Sequence, residues 1–345
     1  MTVGVAAMCF WEGQPSVICV SDRMITSGDI QFEPPAKKIY QLTSSSCMLI
    51  AGDSASQIEL YQSARRAIKA RLETDQSWMT IKEVAELVAD QTISFVRSRI
   101  ERTVLKPFSM SMDDFLKRQP ELRQDFYDAL TKDMNSCRPS NQTIVAGVDE
   151  GGAHIYEIDS FGDARCLDAA GFAAIGSGYR HVESQFMFAK HAAWKDFPET
   201  LLLTYAGKRR AEAAPGVGAE TDICYVRGLG GFYTVPENSI DYLKMKYVSL
   251  QNRNDVATEE ANKEIADDFK KVAAVIAEQQ AAAAQKDEQG TAPPPPSPSV
   301  ASEGDGTEIV AGGTISRPLE TQTSDLSSSP IDATPEQTDQ KKPGD

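Results

Sequence analysis

The sequence has 345 residues and a net charge of −15, and residues 286–345 hold eleven acidic but only four basic side chains. No basic stripe is present, so a nucleic-acid-binding protein is not expected. No apolar run reaches the ~18 residues that span a bilayer, and no apolar leader follows a basic start, so we expect neither a membrane segment nor a secretory signal. Six scattered cysteines without a C-x-x-C pair are typical of a reducing compartment, and we expect a cytoplasmic protein without a metal or cofactor.

Strands and helices alternate in the first half of the chain. Apolar runs at 3–10 and 17–20, with turn residues between them, predict two paired strands, and a third run at 47–51 ends at Gly52. Asp53 and Thr80 are suited to cap two helices whose apolar residues recur at helical spacing. Residues 106–139 are predicted as a polar insertion that contains helix over 112–134.

The second half repeats this order before its composition changes. The predicted elements are strands at 143–148 and 154–158, a helix after Gly178, a helix after Pro198, and strands at 223–226 and 232–235. Residues 251–285 are predicted as a polar C-terminal helix. Residues 286–345 form an acidic tail rich in Pro, Ser and Thr, which has too few apolar side chains to fold and is predicted to be disordered.

This order predicts one α+β domain over residues 2–250. A helix or sheet must bury its apolar face against another element. Two sheets packed together, with the helices on their outer faces, would bury every apolar face in the pattern. We therefore expect a four-layer αββα sandwich.

Thr2 is a candidate nucleophile because its side chain is small enough for the initiator Met1 to be removed. A threonine hydroxyl needs a base to take its proton, and an N-terminal residue carries one in its own α-amine. That amine has an ordinary pKa of about 7.7–8.0, and a nearby cation would lower it further. Thr2 alone says little, since many proteins begin Met-Thr.

Five short motifs give this candidate a context. They are Ser21-Asp22-Arg23, Lys37-Lys38-Ile39, Ile50-Ala51-Gly52, Val145-Ala146-Gly147-Val148-Asp149 and Ile175-Gly176-Ser177-Gly178. In their order, and in the spacing from Asp22 to Lys38 and from Lys38 to Gly52, they resemble the β subunits of proteasomes, which are N-terminal-nucleophile (Ntn) hydrolases. Thr221-Asp222-Ile223-Cys224 is similar to a motif of the simpler bacterial ring peptidases. The resemblance covers about residues 2–235 and is interrupted by the insertion.

The resemblance implies a role for each matching residue. Thr2 would be the nucleophile and its amine the base, Lys38 the buried cation that lowers the pKa of the amine, and Asp22 the carboxylate that keeps Lys38 charged. Ser177 would hydrogen-bond the amine, and the backbone N–H of Gly52 would face the oxyanion. The expected activity is hydrolysis of peptide bonds through an acyl-enzyme, in a homo-oligomeric ring that an ATPase unfoldase could serve.

Other interpretations of these motifs remain open. Asp22-Arg23 could be an ordinary turn, Lys37-Lys38 a solvated pair, and Ser177 a helix cap. The family also has an Asp and a Ser shortly before the strand that corresponds to the one beginning near Asp222. At the corresponding positions this chain has Ala214 and Val217. The alternative functions are a catalytically inactive ring or scaffold subunit and a small-molecule amidase of the same fold.

Overall fold

The computed structural model describes residues 2–27, 30–35 and 37–289. Its strands are β1 (Val3–Trp11), β2 (Gln14–Asp22), β3 (Ile25–Ser27), β4 (Ile30–Phe32), β5 (Ile39–Gln41), β6 (Ser46–Ala51), β7 (Gln142–Asp149), β8 (Gly152–Ile158), β9 (Ala164–Cys166), β10 (Phe172–Gly176), β11 (Thr221–Arg227) and β12 (Phe232–Thr234). Its α-helices are α1 (Ser54–Thr74), α2 (Ile81–Ile100), α3 (Met112–Arg118), α4 (Gln124–Ser136), α5 (Tyr179–Phe188), α6 (Phe197–Ala211) and α7 (Glu237–Gln289). The prediction of a mixed α+β protein is confirmed.

The strands form two five-stranded antiparallel sheets and one small hairpin. The first sheet has the order β10-β1-β2-β11-β12, and the second has the order β5-β6-β7-β8-β9. Among the described residues, strands β3 and β4 pair only with each other. Because β1 lies between β10 and β2, the residue before Val3 is next to the ends of both neighbouring strands.

The main apolar cluster is built from both sheets. Side chains of β1, β2 and β11 meet side chains of β6, β7 and β8 there, and all of them are almost completely buried. Helices α1 and α2 pack on the other face of the second sheet, while α5 and α6 pack against β1, β2 and β10 of the first. Burial of apolar area on this scale is the main favourable term in folding.

The insertion contains two short helices where the sequence predicted one. Helix α3 ends at Arg118, a 3₁₀ turn follows at Gln119–Glu121, and α4 begins at Gln124. Pro120 lies in that turn and cannot supply the N–H that a continuous helix would need. The insertion has its own apolar cluster, which packs at the end of α2.

Two further differences from the prediction concern element boundaries. Helix α7 begins at Glu237 rather than near 251, because Ile240, Leu243 and Tyr247 recur at helical spacing and pack on an apolar cluster of the first sheet and α6. The short strands β3, β4, β5, β9 and β10 were not predicted, because three to five residues show little periodicity; the equally short β12 was predicted within 232–235.

The C-terminal part is described only as helix. Residues from Val272 onward form a separate unit of the chain, and its described part is the end of α7. The disordered tail predicted for residues 286–345 lies outside the described residues from position 290 on. Within the described ranges, no helix combines the length and the apolar character that are needed to cross a bilayer.

Candidate active site

Thr2 lies at the start of β1, between two strand ends, and only 2% of its surface is exposed. Its carbonyl oxygen lies 3.5 Å from the amide N of Gly178 and 3.4 Å from Oγ of Ser177. Gly176 has a φ of +88°, and a Cβ atom at this residue would lie 2.2 Å from the same carbonyl oxygen. A glycine is therefore required at position 176 for β10 to approach Thr2 this closely.

Asp22 ends β2 directly beside Thr2 and is completely buried. Its carboxylate accepts hydrogen bonds from five donors, which is enough to satisfy a buried anion. Oδ1 accepts from the Thr2 hydroxyl, from Val3 N at 2.9 Å and from Lys38 Nζ at 3.1 Å, and Oδ2 accepts from Met24 N at 3.0 Å and Gly218 N at 3.1 Å. The carboxylate thus fixes both the hydroxyl and the lysine.

Lys38 precedes β5 and is 6% exposed, whereas its neighbour Lys37 is exposed to solvent. Its Nζ lies 2.5 Å from Oγ of Thr2, 3.1 Å from Oδ1 of Asp22 and 2.5 Å from the carbonyl oxygen of Met24. Three acceptors match the three N–H bonds of an ammonium group. Burial lowers the pKa of Lys38, and the negative charge of Asp22 opposes that shift.

The three side chains therefore form one closed network. The Thr2 hydroxyl donates to Asp22 and accepts from Lys38, so a positive charge lies against the atom that would become negative if the hydroxyl lost its proton. This arrangement suits a hydroxyl that acts as a nucleophile. The solvated pair that Lys37-Lys38 could have been is excluded for Lys38, because its ammonium is buried.

Gly52 and Ser177 line a cavity that adjoins this network at Thr2. The cavity has a volume of about 360 Å³ and is lined by Thr2, Ala51, Gly52, Asp53, Ser140, Gln142, Gly176 and Ser177. Gly52 has a φ of +125°, and a Cβ atom there would lie 2.5 Å from Asn141 Oδ1 and 2.5 Å from the Ser140 carbonyl oxygen. Ser177 Oγ donates toward the Thr2 carbonyl and, at 3.1 Å, toward the carbonyl of Pro215. Its predicted bond to the amine and the oxyanion role of Gly52 remain predictions.

A narrower recess of about 100 Å³ adjoins Lys38 and Gly52. Among its other lining residues, Ile25, Tyr40 and Ile58 are apolar or aromatic, and Gln57 is polar. Ile50, two residues before Gly52, is buried in the apolar cluster that the second sheet forms with α1 and α2, and it does not line this recess.

Three contributors to the site were not found from the sequence: the side-chain amides of Gln142 and Asn141, and the backbone N–H of Gly218. Gln142 Oε1 accepts a hydrogen bond from Gly176 N at 3.0 Å, and Asn141 Oδ1 accepts one from Asp53 N at 2.8 Å, so these amides hold the cavity walls in place. Gly218 donates its backbone N–H to Asp22. The polar Asn141-Gln142 pair at the start of β7 was the only sequence signal for the two amides. The backbone N–H of Gly218 has no sequence signal.

One cluster of possible metal ligands lies elsewhere in the described part of the chain. The sulfur atoms of Cys19, Cys47 and Cys224 are all within 4.8 Å of one another, with Cys19 and Cys47 at 3.4 Å. All three belong to the apolar cluster between the sheets, and burial raises the pKa of Cys224 well above its ordinary value. Hydrogen bonds from Cys19 and Cys224 lower the pKa of Cys47 to about 5, so the three side chains share protons within this apolar layer.

Neither a scan against models of protein families nor a search of curated proteins finds a match to this sequence.

Proposed function

We propose that the chain is an N-terminal threonine hydrolase of the proteasome-β-like Ntn family, with the four-layer αββα sandwich of that family, and that it cleaves peptide bonds in the cytoplasm. The observation that supports this most is the contact of Lys38 Nζ with Thr2 Oγ and Asp22 within one buried network. The order of Asp22, Lys38 and Gly52 along the chain agrees with the same proposal.

In the proposed reaction, removal of Met1 frees the α-amine of Thr2. The amine takes the proton of the hydroxyl, and Oγ forms a bond to the carbonyl carbon of the substrate. The oxyanion is stabilised by the backbone N–H of Gly52. The C–N bond then breaks, and the leaving amine takes the proton. Water attacks the resulting ester, which releases the acid and returns a proton to Oγ.

The surrounding residues would each have one task. Lys38 keeps positive charge beside Oγ and favours the neutral form of the amine, while Asp22 holds Lys38 in place. Ser177 and Gly176 position the backbone of Thr2. The recess that contains Ile25, Tyr40 and Ile58 adjoins Gly52 and would receive an apolar side chain of the substrate.

Hydrolysis of fluorogenic peptide amides tests this proposal. Thr2→Ala should abolish turnover, Thr2→Ser should retain part of it, and Thr143→Ala is the control because Thr143 is an equally buried threonine of β7. Equal turnover in wild type and Thr2→Ala would refute the proposal.

The scaffold alternative makes the opposite prediction. An inactive ring subunit would show no turnover in any variant but would assemble, which native mass spectrometry can measure. The homo-oligomeric ring expected for the enzyme is tested in the same measurement.

A further inference from the structure

The loop between α6 and β11, residues 212–220, reaches the proposed catalytic network through its backbone. Gly218 N donates to Oδ2 of Asp22 at 3.1 Å, and the carbonyl oxygen of Pro215 accepts from Ser177 Oγ at 3.1 Å. The side chains of Ala214 and Val217 are buried in the apolar cluster that the first sheet forms with α5 and α6. The position of this loop thus determines one of the five hydrogen bonds to Asp22.

A second buried lysine holds the end of this loop. Lys208 lies in the last turn of α6, and its side chain is completely buried. Its Nζ donates to Glu212 Oε1 at 2.7 Å and to the carbonyl oxygen of Ala219 at 2.6 Å. Burial lowers the pKa of Lys208, and the hydrogen bond to Glu212 opposes that shift.

An ion pair in this place is not explained by stability. Desolvation of a buried pair offsets most of its attraction, and replacing both partners by apolar side chains of similar volume is often neutral for stability. The neighbouring residues of α6 that face the first sheet, including Thr204 and Ala211, are uncharged. A methionine at position 208 could not donate a hydrogen bond to the carbonyl oxygen of Ala219, the residue next to Gly218.

We infer that Lys208 is a positioning residue of the proposed hydrolase: it binds the Ala219 carbonyl and thereby holds the Gly218 N–H against Asp22. Asp22 in turn orients Lys38 and the Thr2 hydroxyl. Lys208 acts on the reaction only through this loop and this carboxylate. The inference rests on the proposed function for its effect on rate, but its effect on Gly218 does not depend on any activity.

Two measurements on full-length Lys208→Met and wild type test the inference. The first is hydrogen–deuterium exchange of the Gly218 amide. It should become about tenfold faster in the variant, because the loop can then open without breaking a hydrogen bond between Lys208 and Ala219. The second is the rate at which a β-lactone acylates Thr2, which should fall about 10–100-fold because a small misplacement of a catalytic group slows reaction strongly. Arg210→Met is the matched control, since Arg210 is an exposed basic residue of the same helix turn.

The outcomes separate the two proposals. Faster exchange at Gly218 and slower acylation, both measured under conditions in which the variant is fully folded, support the inference. Unchanged exchange at Gly218 overturns it, as does faster exchange with an unchanged acylation rate. If the β-lactone fails to label wild type, the proposed function fails, and the exchange result alone decides whether Lys208 holds Gly218. Acylation that falls only in proportion to the fraction of unfolded chain would reduce Lys208 to a structural role and would also overturn the inference.

Discussion

The molecule buries reactive side chains in two regions, and the regions differ in how their polar atoms are satisfied. Around Thr2, a hydroxyl, a carboxylate and an ammonium form hydrogen bonds with one another, and Thr2 lines a cavity. Around Cys19, Cys47 and Cys224, three thiols lie in the apolar layer between the sheets. Burial alone therefore does not make a group reactive, because reactivity also requires a charged partner and access for a substrate.

Among substitutions of the residues that hold Thr2, Asp22→Asn should reduce activity the most. The amide cannot balance the charge of Lys38, and its NH₂ group would face backbone N–H donors. We expect activity to fall on the order of 10³–10⁴-fold and the free energy of unfolding to fall by about 3–5 kcal/mol, because one member of a buried pair is left alone. Peptide hydrolysis and denaturant unfolding measure the two effects. Activity within tenfold of wild type would show that the network is only structural.

Gly52→Ala should come next, since a Cβ atom there collides with Asn141 and Ser140 and displaces the proposed oxyanion donor. We expect a rate loss of about 10²–10³-fold and a stability loss of about 1–3 kcal/mol. Gly152→Ala is a matched control, because Gly152 has a φ of +127° but no atom within 4 Å of the added Cβ. Strain at this φ alone would lower stability in both variants, and only Gly52→Ala should lose activity. Equal activity in the two variants would exclude Gly52 from the oxyanion role.

The pH dependence of kcat/KM should show whether Lys38 acts as a cation. Burial lowers the pKa of Lys38 from 10.5. With increasing pH we therefore expect activity to rise as the α-amine loses its proton, and then to decrease as Lys38 loses its proton at a pH lower than 10.5. A rate that still rises up to pH 10.5 would instead make neutral Lys38 the base.

The lowered pKa of Lys38 also affects stability. Between its folded pKa and 10.5 the unfolded chain binds more protons than the folded chain, so the contribution of Lys38 to the free energy of unfolding should increase with pH in that window. Denaturant unfolding of wild type and Lys38→Met at several pH values measures this contribution. A stability difference between the two that does not change with pH would contradict the shift.

Cys47→Ala should have the smallest effect. It removes a sulfur atom from the apolar layer and should lower the free energy of unfolding by about 1–2 kcal/mol, with activity within about twofold of wild type. Alkylation of native protein should modify exposed Cys166 and leave Cys47 unmodified until the chain unfolds. A large loss of activity in Cys47→Ala would link the two regions and contradict their separation.

The sequence predicted the residues around Thr2 better than it predicted what holds them. Asp22, Lys38 and Gly52 carry side chains or backbone requirements whose spacing can be recognised, and the structure brings Asp22 and Lys38 to Thr2. Gly218 and the burial of Lys208 could not be predicted, because a backbone N–H has no sequence signature and Lys208 is one of three consecutive basic residues. The proximity of the three thiols depends on the register between two sheets, which a linear pattern does not contain.

The main strands and helices were predictable because their patterns are local in the sequence. Long periodic segments such as α1 and α2 have local patterns, whereas β10 is short and is fixed by its pairing with β1. The break between α3 and α4 could have been predicted from Pro120. The early start of α7 depends on an apolar cluster formed by distant parts of the chain.

In the proposed mechanism, the hydroxyl and the free amine of Thr2 carry out the reaction together. Mass spectrometry of the intact protein and of its N-terminal peptide, before and after treatment with a β-lactone, tests it most directly. We expect a chain that begins at Thr2 and an acyl group on the Thr2 oxygen in wild type, with no adduct in Thr2→Ala. Peptide hydrolysis by a chain that retains Met1, or an adduct on another residue that persists in Thr2→Ala, would contradict the account.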